Sequence, residues 1–128
     1  MLGGSPQTSP LDVQVTSGDD RVTLEFSPEP GLRILAQRLP AKGDSRGLAV
    51  LLDLKRGRGA SATPVAAALR QQGWDLVTLD LRATGASASS RDKIGRAPDH
   101  NSAEWSLWIG RPLLGQWVWD VRRLLSTV

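Results

Sequence analysis

Two apolar runs with little polar interruption, residues 48–54 (LAVLLDL) and 74–81 (WDLVTLDL), flank a stretch with helical spacing. Runs that do not alternate suit strands buried on both faces. Between them Pro64 opens a helix in which Val65, Ala68 and Leu69 share a face, and Gly73 is its stop signal. The pattern predicts a βαβ unit. Upstream, Val13 and Val15, then Val22, Leu24 and Phe26, alternate with polar residues around Ser17-Gly18-Asp19-Asp20, the signature of a half-buried antiparallel hairpin. Residues 27–31 (SPEPG) break the chain. Residues 32–39 (LRILAQRL) form the next predicted strand, closed by Pro40.

Downstream of the second apolar run, residues 83–100 show no periodicity, which predicts a long loop at a strand's carboxyl end, where function often resides. Asn101 followed by Glu104 gives a capping-box-like start to a short helix carrying Trp105, Trp108 and Ile109, ended by Gly110. Pro112 begins the strongest helix. Leu113, Leu114, Trp117, Val118, Val121, Leu124 and Leu125 form its apolar face, and Gln116, Asp120, Arg122 and Arg123 its polar side. Trp117 is expected in the core and Trp119 toward the polar side.

At 128 residues, 40% apolar and 23% charged, the composition fits one globular domain. Residues 1–10, rich in Gly, Ser and Pro, read as a flexible leader, and residues 11–128 as the domain. The net charge of +3 rests mainly on arginines scattered among thirteen acids, so no clustered basic face for nucleic acid is expected. The absence of cysteine and the single histidine leave no thiolate or multi-histidine metal centre, and no metal or cofactor is expected. The first residues lack the basic and apolar regions of a signal peptide. No apolar run approaches the roughly 18 residues of a membrane span, so no membrane association is expected.

The turn after the first apolar run carries the candidate chemistry. Gly57, Gly59, Ala62 and Asp80 match the spacing of a Rossmann-type dinucleotide-binding fingerprint, in which glycines admit a pyrophosphate and an acid accepts from a ribose hydroxyl. Asp80 and Arg82, two residues apart, are also expected to pair with each other and shape the loop.

A second resemblance extends further. Residues 80–87, DLRATGAS, resemble the D-x-R-G-x-G-x-S segment that follows the fourth strand of many α/β-hydrolases, with Ala83 in place of the first Gly. Residues 109–125, IGRPLLGQWVWDVRRLL, resemble G-R-P-L-x-G-x-x-x-x-D of acetyl-xylan-esterase-like members in the dienelactone hydrolase and prolyl oligopeptidase neighbourhood. The resemblance covers roughly residues 24–128. It implies the amino-terminal part of an α/β-hydrolase sheet, an antiparallel hairpin followed by a mostly parallel βαβ unit and C-terminal helices.

It also implies a parent enzyme that cleaves small-molecule carboxylic esters through an acyl-serine, without a cofactor. The backbone N–H of Lys55 or Arg56 then becomes an oxyanion-hole candidate, Gly57, Gly59, Asp80, Arg82 and Gly85 loop-shaping residues, and His100 and Asn101 pocket-rim residues. No catalytic residue is assigned, because the nucleophile elbow, acid and histidine of that family would follow residue 128. Ser61 and Ser87 sit in the wrong contexts for an elbow. The chain alone is therefore expected to be inert, and a sheet cut at its middle is expected to self-associate through its exposed edge. A noncatalytic α/β interaction domain is the remaining alternative.

Overall fold

The computed structural model describes residues 6, 8–92, 94 and 100–128. Most of the expected leader and part of the loop after residue 92 lie outside the described residues. Five strands form one mixed sheet: β1 (Gln14–Ser17), β2 (Val22–Glu29), β3 (Leu32–Leu39), β4 (Gly47–Leu51) and β5 (Trp74–Leu79), in the order β1-β2-β3-β5-β4. β1, β2 and β3 pair antiparallel, β5 runs antiparallel to β3, and β4 runs parallel to β5. This is an α/β fold in which an antiparallel start leads into a βαβ unit. Three α-helices follow the strands' logic: α1 (Pro64–Gln71) within the βαβ unit, then α2 (His100–Trp108) and α3 (Leu113–Leu124).

The SPEPG stretch does not interrupt the sheet. β2 runs through Ser27 and Pro28 to Glu29 with a register shift after Phe26, and the reversal into β3 falls at Pro30-Gly31, where Gly31 takes φ +78°. An irregularity in the ladder tolerates a proline that a regular central strand would not. In the first hairpin β2 is alternately buried, whereas all four residues of β1 are exposed.

Alternation along the strands divides the core into two layers. Leu24, Phe26, Ile34, Ala36, Val77, Leu79 and Leu81 meet Leu124 of α3 on one face, with Leu48, Val50, Trp117 and Val121 packed against them. On the other face Leu39 and Leu76 meet Ala66 of α1, joined by Ala49, Leu51 and Leu69. α1 starts where Thr63 Oγ1 accepts from the Ala66 amide (3.3 Å) and Pro64 fills the first turn, and Gly73 ends it at φ +88°.

Burial corrects two expectations. β5 is buried from Asp75 onward, as an interior strand should be, but β4 lies at the sheet edge and is only half-buried. Its apolar run reflects helices or other chain on both faces and does not require a strand on both sides. In α3 the assignment of faces is partly inverted. Asp120 and Arg123 are buried, while Leu114, Val118 and Leu125 are exposed. Trp119 is buried and donates its indole N–H to the Pro28 carbonyl (3.0 Å), and Trp117 is half-buried, bonded to the Arg82 carbonyl (2.9 Å). The cause is ionic: Asp120 is drawn inward by Arg82, and Arg123 reaches the Ser9 carbonyl while lying over the Trp119 ring.

A charged clamp closes the far end of the sheet. Arg38 of β3 and the Ala41 amide both donate to Asp75 of β5. The Arg38 hydrogen bond, then that of Ala41, hold the Asp75 carboxyl below its ordinary 3.8 against the opposing effect of burial. A carboxyl depressed in the folded state contributes stability above its unfolded pKa and loses it as pH falls through the folded value. Melting temperature is therefore expected to drop on acidification below about pH 4. In Asp75→Asn that acid-side slope should be shallower, as followed by circular dichroism melts across pH.

Candidate functional site

The carboxyl ends of β4 and β5 bring the two singled-out turns together. After β4 the chain forms a tight turn and a 3-10 helix, Gly57–Ala62; after β5 it forms a second, Gly85–Ser87. Asp80 joins them. Its Oδ1 accepts from the Arg58 amide (2.8 Å) and its Oδ2 from Arg58 Nε (2.8 Å), with the carboxylate almost wholly buried. Gly57 and Gly85, at φ +53° and +52°, stand on either side: an added Cβ would lie 2.0 Å and 2.1 Å from Asp80 Oδ1. Both glycines are required by close approach as well as by backbone conformation. Gly59 is exposed and its amide closes the turn on the Arg56 carbonyl (2.9 Å).

This geometry removes the basis of the dinucleotide fingerprint. The space that Gly57 keeps open is filled by the Asp80 carboxylate, which would repel a pyrophosphate and is not free to accept from a ribose. The 3-10 turn, which Ala62 ends, also separates the glycines from the first turn of α1, so no helix N-terminus points at them.

Asp80 and Arg82 do not pair, contrary to expectation. Arg82 turns to the α3 layer, donating Nε to Asp120 Oδ2 (2.9 Å), Nη2 to Asp120 Oδ1 and Nη1 to Gln116 Oε1 (2.6 Å). Its Nη1 also lies 2.8 Å from Glu29 Oε1, and Glu29 is gripped from the other side by Arg111 at 2.7 Å. Burial works against the Arg82 charge, but Asp120 and then Glu29 outweigh it and raise its pKa. Burial pushes the Asp120 carboxyl up, against the pull of Arg82. For Glu29 burial is likewise opposed by Arg111 and Arg82, and there the two arginines prevail and lower it. Sequence reasoning missed Glu29 and gave no role to Gln116; Arg111 and Asp120 carried a signal as fixed positions of the G-R-P-L-x-G-x-x-x-x-D segment, without their partners.

The Lys55 and Arg56 amides converge on one oxygen, Asp53 Oδ1, at 2.9 Å each, and Arg56 Nη1 reaches Asp53 Oδ2 (3.0 Å). The turn is thus an anion-binding nest already occupied by its own carboxylate. Neither amide points at an open position.

Between the second turn, α2 and α3 lies an open cleft of about 500 Å³, lined by Arg82, Ser87, Asn101, Trp105, Ser106 and Gln116 among others. Asn101 donates to the Arg91 carbonyl (3.1 Å). His100 does not line the cleft; it begins α2, and its Nε2 lies 3.5 Å from Glu104. The expected Asn101–Glu104 capping box is absent. Asp92 takes its place, accepting from the Ser102 amide (2.7 Å) and hydroxyl. Ser61 Oγ accepts from Gln37 Nε2 (2.7 Å), and among the described residues no basic side chain hydrogen-bonds to it. Among the described residues no group of three or more His, Cys, Asp or Glu could hold a metal ion, and no helix is long and apolar enough to cross a membrane.

The sheet order and the two linked turns define an α/β fold with a mixed five-stranded sheet. The closeness of the fold to a solved structure is direct: a Bacteroides fragilis protein provisionally assigned as an acetyl xylan esterase superposes with a TM-score of 0.70 over 98% of this chain, at 13% identity. The chain spans 39% of the length of that protein. No protein-family model and no curated protein sequence matches the chain.

Proposed function

We propose that this chain is the amino-terminal portion of a serine carboxylic-ester hydrolase of the acetyl-xylan-esterase-like kind, with nucleophile, acid and base supplied outside these 128 residues. One observation carries the reading. The two segments whose sequences resemble those hydrolases, 80–87 and 109–125, are fastened to each other by the Arg82–Asp120 ion pair, so the motif residues serve one structural purpose. The shared fold with the Bacteroides fragilis protein supports it.

In this reading the chain's own residues position and do not react. Asp80, Gly57 and Gly85 fix the two turns beside which an acyl group would lie. The Lys55 or Arg56 amide could serve a developing oxyanion only after the Asp53 carboxylate that now takes both has turned away.

The test is labelling with a fluorophosphonate and hydrolysis of 4-nitrophenyl acetate. The 128-residue chain is expected to be unlabelled and inert. A chain extended by its native downstream coding sequence, expected to encode a strand followed by G-x-S-x-G and later an acid and a histidine, should label at that serine. Labelling of the short chain, or a downstream sequence without such an elbow, would overturn the proposal.

A further inference from the structure

Among the described residues two buried side-chain polar atoms lack a hydrogen-bond partner, Ser9 Oγ and Arg123 Nε. They belong to residues that already touch, because Arg123 Nη2 donates to the Ser9 carbonyl. Unmet buried donors are costly, and two at one contact mark a place where a further group is bound. The rest of this segment is fully engaged. Leu11 packs on the core, its carbonyl accepts from the Ser27 amide (2.6 Å), and Arg33 Nη1 donates to the Asp12 carbonyl (3.0 Å) and carboxylate (2.7 Å).

Charge at the contact is uncompensated as well. Arg123 is only 8% exposed, the most deeply buried Arg or Lys among the described residues. Arg38, Arg58 and Arg82 each reach a carboxylate that is itself buried, whereas Arg123 forms no ion pair among the described residues. Its cation has the Trp119 ring, 5.8 Å away, the Ser9 carbonyl and its place in the last turn of α3. None of these is an anion.

We propose that Arg123 Nε–H and the Ser9 hydroxyl bind one monatomic anion, chloride in ordinary salt, which fastens residues 9–12 onto α3. Charge selects an anion over water. An anion gives a buried guanidinium both a charge-assisted hydrogen bond and neutralisation, and water gives the hydrogen bond alone. The guanidinium edge selects the size. Nε and Nη2 share one edge, and at Arg82 that edge takes both oxygens of Asp120. At Arg123 the Ser9 carbonyl already holds Nη2, so a side-on carboxylate, phosphate or sulfate would have to displace it, and Nε is left for a single acceptor atom. The Ser9 hydroxyl can rotate to donate to the same atom. This inference draws nothing from the ester-hydrolase reading.

The experiment is urea unfolding of the 128-residue chain with sodium chloride exchanged for sodium gluconate at constant ionic strength. An ion bound to the folded chain alone multiplies the folding constant by one plus the ratio of its concentration to its Kd. Chloride raised from about 10 to about 300 mM should therefore increase that constant about threefold or more. Bromide should replace chloride, and crystals grown in bromide should show an anomalous peak within hydrogen-bond distance of Arg123 Nε and Ser9 Oγ. Arg123→Met should abolish the chloride response. Ser9→Ala, which leaves the Ser9 carbonyl to Arg123, should fold and lose most of it, so the test survives a failure of Arg123→Met to fold. A native chain without a chloride response, a response equally large in Ser9→Ala, or water in place of bromide at the contact overturns the inference.

Discussion

Arg82→Ala is expected to destabilise the fold by about 3–5 kcal/mol, the usual cost of stripping the partner from a buried charge. The chain holds a total of only about 5–15 kcal/mol, so the variant should be largely unfolded at 37 °C or melt many degrees lower. The size of the effect follows from what is left behind. Asp120 is fully buried and loses both of its guanidinium hydrogen bonds, and Glu29 keeps Arg111 alone. Asp120→Asn should cost less, because an amide oxygen still accepts from Arg82 and the burial that works against the Asp120 charge no longer applies. Urea unfolding of the wild type and the two variants measures the difference. Equal losses would show that shape, not charge, sets the stability of this contact.

Gly57→Ala or Gly85→Ala should each cost about 2–5 kcal/mol. A left-handed conformation costs a side-chain-bearing residue about 1–2 kcal/mol, and expelling the Asp80 carboxylate leaves buried donors unmet at about 1–3 kcal/mol. The second part depends on Asp80 being present. In an Asp80→Ala background the added methyl meets no carboxylate, and Gly57→Ala should then cost the backbone part and the tight 3.1 Å approach to Gly85 Cα. The double-mutant cycle should therefore be strongly non-additive, as expected for groups in contact. Additive losses would place the penalty in the backbone alone.

Periodicity carried most of the fold. The strand at residues 32–39 and the helix starting at Pro64 are legible because each has its own pattern and its own punctuation. Hydropathy cannot say who sits beside whom, and that is where reading failed. β4 and β5 have similar apolar runs, yet one is an edge and the other interior, because the strand order depends on a crossover that no local pattern encodes. Proximity in sequence makes Asp80 and Arg82 natural partners, and the structure separates them. The regular strand ends at Leu79 and the chain turns at Ala83 with φ +60°, which sends Asp80 to the turn on the α1 side and Arg82 to α3. Glu29 and Arg111 had no legible link at all, since they are 82 residues apart.

That separation bears on the order in which the molecule is made. Glu29 emerges from the ribosome early, in the second strand, and its cation Arg111 follows 82 residues later, with Arg82's acid Asp120 later still. The hairpin and the βαβ unit can form while α3 is still inside the exit tunnel, but the ion cluster cannot close until α3 has emerged. The cluster is in effect a late-closing latch. Until it engages, Glu29 and the Phe26 side of the sheet wait in contact with water and chaperones.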